Sequence, residues 1–155
     1  MLRRFVATIV AVASAMIAFA APVAAAPVEH LQGDLTVVNH NELGDGCSFV
    51  HAVSDGAIVT ARGPDFTVHT DGCFAFDEGA TGGFSLSRPG GTLTGTYSPG
   101  AGPVATAPLV FVITDGTRRY RDASGSLTLV VSTTQDIGPL TQLIAGTIDG
   151  TIIRH

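Results

Sequence analysis

From residue 26 onward the chain alternates apolar and polar residues in short runs, and the runs are bounded by Gly, Asp, Asn or Pro. This pattern constrains the fold more than any other feature. A period of two puts successive side chains on opposite faces of a strand, whereas a helix needs a period near 3.6. Helical periodicity is hard to find in the same stretch. The alternating runs are 34–40, 48–54, 57–62, 66–70, 74–76, 83–87, 92–98, 109–114, 127–133 and 142–153. Between them stand Asp45-Gly46, Asp55-Gly56, Asp71-Gly72, Pro89-Gly90-Gly91, Pro99-Gly100, Asp115-Gly116, Gly138-Pro139 and Asp149-Gly150. Asp-Gly suits a tight turn because Gly accepts a positive φ without steric cost. Some runs merge, giving about eight strands.

Short strands at regular spacing point to an all-β barrel or sandwich. Closure into a barrel removes the exposed sheet edges that invite aggregation. The expected architecture is therefore an antiparallel, closed, calycin-like β-barrel of about eight strands. Alternation selects the inward faces: Leu35 with Val37, Phe49 with His51 and Val53, and Phe84 with Leu86. The later strands contribute Leu93 with Tyr97, Leu109 with Phe111 and Ile113, and Leu127 with Leu129 and Val131. Ser and Thr occupy the opposite faces of several strands, as in a sheet with one side on a common interior.

The first 25 residues read differently. Arg3 and Arg4 precede 17 uncharged residues, Pro22 breaks that run, and Val23-Ala24-Ala25-Ala26 supplies small side chains. A basic start, an apolar middle and a small-residue cleavage site are the order of a secretory signal peptide. The expectation is a signal helix over 1–25, cleavage after Ala25, and one barrel domain over 26–155. The apolar run sits at the short edge of a spanning helix, so no stable membrane insertion is expected after cleavage. An extracytoplasmic location suits the two cysteines, Cys47 and Cys73, which are read as a disulfide.

Charge narrows the function. The 155-residue chain has 8 basic and 13 acidic residues, and every basic residue is Arg. Losing Arg3 and Arg4 with the leader takes the net charge from −5 to −7. An acidic domain without a basic face is not a general nucleic-acid binder. No P-loop or dinucleotide fingerprint occurs, so no cofactor is expected. His69 and Asp71 share a strand face and could approach a metal together with His40, but no H-x-x-x-H or H-E-x-x-H spacing supports one. No G-x-S-x-G occurs, and the serines sit at ordinary strand or turn positions, so no catalytic residues are assigned.

The stretch from Phe111 to Gly125, FVITDGTRRYRDASG, is the most distinctive. It resembles the F-x-I-x-G-G-T-G-R/K-F/Y-x-x-A-x-G signature of allene oxide cyclase-like and dirigent-like barrels, including small secreted bacterial proteins. Gly91–Tyr97 and Gly146–Ile152 are similar to two further Gly-Thr-rich stretches of such proteins. The resemblance implies a barrel. Plant enzymes of this type close a fatty-acid epoxide into a ring, and dirigent proteins steer radical coupling; the cavity residues of neither can be placed here. Asp115 and Arg118 stand where the signature has Gly.

The candidate binding residues follow from the inward parities and the charge runs. His51, Phe49, Phe111 and Tyr97 are candidates to line an interior ligand site; His51 could also be a hydrogen-bonded structural residue. Arg118, Arg119 and Arg121 form the basic cluster, which could hold an anion through forked charged hydrogen bonds. Alternatively these arginines pair with Asp115 and Asp122 in a solvated turn. Three readings remain. The first is a secreted, non-catalytic barrel binding a small apolar or amphipathic ligand. The second is a structural or interaction protein of the cell envelope with a filled barrel. The third is an allene oxide cyclase-like isomerase.

Overall fold

The alternating runs become eight antiparallel strands, each hydrogen-bonded to the next in sequence, and the eighth returns to the first. A computed structural model describes residues 25–44, 46–104 and 106–155. All of the expected signal segment except Ala25 lies outside the described residues. The strands are β1 (Val28–Leu43), β2 (Val50–Thr60), β3 (Phe66–Ala75), β4 (Gly79–Arg88), β5 (Gly91–Pro99), β6 (Leu109–Gly116), β7 (Ser124–Gly138) and β8 (Thr141–Ile153). A single 3-10 turn, Arg118–Tyr120, interrupts the connection from β6 to β7. The result is a closed, all-β, eight-stranded antiparallel barrel. Among the described residues no helix is long and apolar enough to cross a membrane.

Three Asp-Gly pairs expected as turns lie in strand interiors instead, and a fourth, Asp115-Gly116, forms the last two residues of β6. Asp55-Gly56 sits in β2, Asp71-Gly72 in β3 and Asp149-Gly150 in β8. In each pair the Asp is exposed and the Gly is where a neighbouring strand comes closest. A Cβ on Gly56 would lie 2.6 Å from the Cα of Val37, one on Gly72 2.7 Å from the Cα of Gly82, and one on Gly150 2.7 Å from the Cα of Leu127. Each of those contacts is the glycine's own register partner. Gly is therefore required for close backbone approach in a tightly curved sheet, a second use of the residue beside the turn. The runs at 48–54 and 57–62 consequently merge into β2, and those at 66–70 and 74–76 into β3.

The inward face of β2 is also the opposite of the one expected. Register places Ser54 against Asn39 and Ile58 against Leu35 on β1. Leu35, Asn39, Ser54 and Ile58 are all buried, so the even-numbered residues of β2 face inward. His51 and Val53 have the other parity, while Phe49 precedes the strand. The local sequence SFVHAVS offers apolar residues on both faces, so alternation alone could not choose between them.

One end of the barrel is packed solid. Ile58, Phe66, Leu86, Leu93, Leu127, Ile148 and Ile152 are almost wholly shielded from solvent. Each such side chain contributes about 2 kcal/mol by leaving water. The 3-10 turn tucks Tyr120 beneath them, also fully buried, with Ala123 beside it. Around this plug Arg88 lies over the Phe66 ring at 4.2 Å and Arg119 over the Tyr120 ring at 4.8 Å. Glu29 on β1 ion-pairs with Arg88, and its Oε2 accepts a hydrogen bond from Arg119 Nη2 at 3.0 Å. Arg119 thus pairs with a residue 90 positions away, while Asp115 accepts from the backbone N–H of Gly116. The local pairing with Asp115 and Asp122 is not how Arg119 is held.

Candidate functional site

The other end of the barrel is lined differently. Here several inward residues of β2 to β4 are small, with Ala52, Ser54, Thr70 and Ala80 standing among Val50, Val68 and Phe74. The side chains leave a cavity of about 800 Å³ that opens between the β1–β2, β3–β4, β5–β6 and β7–β8 connections. An eight-stranded barrel has an interior that side chains can just fill or that can hold one small ligand. This barrel does each in one half.

The floor is aromatic. Phe111 stacks on Tyr97 with ring centroids 5.4 Å apart, and Phe84 meets Phe111 edge-on at 5.1 Å. The wall formed by β6 to β8 is apolar, with Leu109, Leu129 and Ile144. The wall formed by β1 to β3 carries a row of polar side chains. Ser54 Oγ donates to Asn39 Oδ1 at 3.0 Å, and Asn39 Nδ2 donates to Asn41 Oδ1 at 2.9 Å. Thr70 is the register partner of Ser54 on β3, and its hydroxyl lies on the side of the Tyr97 phenol, where it favours the ionised form. Burial holds the Tyr97 phenol above its ordinary pKa, against the opposing effect of the Thr70 hydroxyl; the negative charge of Asp71 adds to the rise. Tyr97 fits because Gly72 has no side chain: a Cβ there would lie 2.4 Å from the phenol oxygen.

The mouth is apolar as well. Leu43, Phe49, Phe76, Val104 and Leu140 are exposed at or beside it, and the Phe49 and Phe76 rings touch with centroids 4.4 Å apart. Cys47 and Cys73 form a disulfide, with a Cα–Cα distance of 5.5 Å, that ties the β1–β2 connection to β3. A pocket of about 110 Å³ lies beside it.

Of the residues singled out in the sequence, Tyr97, Phe111 and Phe49 line the cavity. His51 does not. It stands on the outer face of β2, where its Nε2 is 2.8 Å from Asp71 Oδ1. His69 makes the corresponding outer-face pair with Asp55, Nδ1 to Oδ1 at 2.8 Å. His40, His69 and Asp71 therefore do not converge, and among the described residues no three His, Cys, Asp or Glu side chains could share a metal ion. Arg118, Arg119 and Arg121 lie at the closed end, remote from the cavity mouth. The polar row of Asn39, Ser54 and Thr70 was not anticipated, although Leu35, Val37, Asn39 and Asn41 share one parity and the change from apolar to amide is visible there.

No Asp, Glu, His, Lys or Arg lines the cavity among the described residues. The arrangement can enclose an apolar body and hydrogen-bond it on one side. Comparison with protein families, curated proteins and solved structures finds no match for this chain.

Proposed function

We propose that this chain is a secreted, non-catalytic barrel that binds a small apolar or amphipathic ligand in its open half. The cavity of about 800 Å³ carries the reading. Space left beside apolar side chains forfeits their dispersion contacts and lowers stability. The closed half fills its interior with large aliphatics, so the same fold can be packed solid. Placing the small side chains of Ala52, Ser54, Thr70 and Ala80 against an unfilled interior makes sense when another molecule supplies the missing contacts. The size is within the ~300–1,000 Å³ typical of small-molecule pockets. Export from the cytoplasm is supported by the leader composition and by the disulfide, which persists in oxidising compartments.

The test is gentle mass spectrometry of the exported protein from its own host, beside an Ala52→Phe variant that fills the cavity from β2. The expected result is an added mass of a few hundred daltons (on the order of a pocket-sized ligand) that organic solvent releases and the variant lacks. A bare chain mass, with no uptake of an apolar fluorophore by the purified protein, would refute the reading. Specific capture of an envelope polymer would then favour the interaction role. Turnover of an unstable fatty-acid epoxide would favour the isomerase that the resemblance implies.

A further inference from the structure

We infer that the ligand is an uncharged amphiphile whose hydroxyl or carbonyl group meets the Asn39–Ser54–Thr70 row while its apolar body lies against β6 to β8. This rests on the binding function proposed above and names the chemical class it serves.

Two features of the lining and one of the mouth lead to it. The first is the polar row itself. Asn39 and Ser54 are each more than nine-tenths buried, and unlike the closed end, where buried Arg88 is met by Glu29, this half offers them no ionic partner among the described residues. Buried polar groups destabilise unless their hydrogen bonds are made. Asn39 and Ser54 satisfy each other in part, yet the second amide N–H of Asn39 and the lone pairs of Ser54 remain available. A row with both donors and acceptors to spare fits a hydroxyl or a carbonyl. The second feature is the absence of any countercharge. With no ionic side chain in the lining among the described residues, a carboxylate or ammonium group would enter without a partner, and burying an unpaired charge is far more costly than burying a hydroxyl.

The third feature is the segregation of charge along the barrel. Every Arg among the described residues lies at the closed end: Arg62 between β2 and β3, Arg88 at the end of β4, Arg118, Arg119 and Arg121 between β6 and β7, and Arg154 after β8. The mouth carries the exposed acids Glu42, Asp77, Glu78 and Asp136. An anionic amphiphile is therefore disfavoured both at the entrance and inside. A cationic one is attracted to the entrance but finds no carboxylate in the lining.

The experiment is competition against a neutral naphthylamine fluorophore by four probes of one chain length: dodecane, dodecanol, dodecanoate and dodecylammonium, each below its solubility or aggregation limit. Dodecanol is expected to displace the fluorophore, and both ions to do so at least roughly 30-fold less well. The preference for dodecanol over dodecane is expected to fall about three- to tenfold in Ser54→Ala and, independently, in Thr70→Val, the loss of one hydrogen bond. Bound fluorophore with dodecanoate or dodecylammonium competing as well as dodecanol would overturn the inference and leave the binding function standing. Failure to bind the fluorophore or any probe would remove the binding function and this inference together.

Discussion

Single residues at the closed end are held by partners distant in the chain. Arg88 has a side chain only 4% exposed, sandwiched against Phe66 and Tyr120, and its charge is met by Glu29. Removing one member of a buried pair leaves the other charge uncompensated, at about 3 kcal/mol. Glu29→Ala should therefore lower stability by about that amount in urea unfolding, and the double variant Glu29→Gln/Arg88→Met should recover most of it. Equal losses in the single and double variants would show that the pair contributes only through packing. Arg118 illustrates a local rule obeyed at a cost. It adopts φ +53°, the left-handed region that Gly enters freely and that costs a side chain more. The ion pairs at this end are not legible locally, because Glu29 lies 59 and 90 residues from its two arginines.

At the scale of elements, alternation located every strand, and its errors came from Gly and from one ambiguous run. Taken locally, every Asp-Gly pair reads as a turn. In β2, β3 and β8 the pair instead follows the strand's own alternation, with Asp outward and Gly against the neighbouring backbone. The dipeptide is the same in both settings; only the adjacent strand distinguishes them. In β2 the parity error moved His51 to the outside and hid Ser54. A shift of one residue exchanges the two faces of a strand, so one misjudged run misplaced a candidate site residue. The disulfide acts at this scale too. It closes a separation of 26 residues, worth about 3 kcal/mol on the chain-entropy account. Cys73→Ala should lower stability by about that amount, with a matching drop in the melting temperature; an unchanged melting temperature would mean that the rim of the barrel is ordered without the bond.

At the scale of the molecule, the two tyrosines report the two halves. Tyr97 is in the cavity floor and Tyr120 in the plug, the chain has no other Tyr, and it has no Trp. Burial is the main cause that raises both phenols above the ordinary value of 10.0. The folded state thus keeps protons that the unfolded state releases. Stability should be unaffected by these groups below about pH 10 and should fall as pH rises above it, because there the unfolded chain binds fewer protons. Tyrosinate absorbance followed beside circular dichroism checks this: ionisation is expected to begin above the ordinary range and to accompany loss of β structure. Two phenols titrating at their ordinary value in the intact fold would contradict it. Since Tyr97 lines the cavity, its fluorescence should also change when an apolar ligand binds, whereas Tyr120 should be indifferent.

The class of fold, the approximate number of strands and the pairing of the only two cysteines are legible along the chain. These follow from local periodicity, from turn chemistry and from counting, none of which needs a distant partner. The sequence also names three residues of the cavity, Phe49, Tyr97 and Phe111. The tertiary structure alone decided that the barrel is packed at one end and open at the other. That division depends on which side chains meet across the interior, on the register that turns Ser54 inward, and on the long-range closure of β1 against β8. The same closure gathers the arginines at the packed end and leaves the mouth acidic, a distribution that no window along the chain contains.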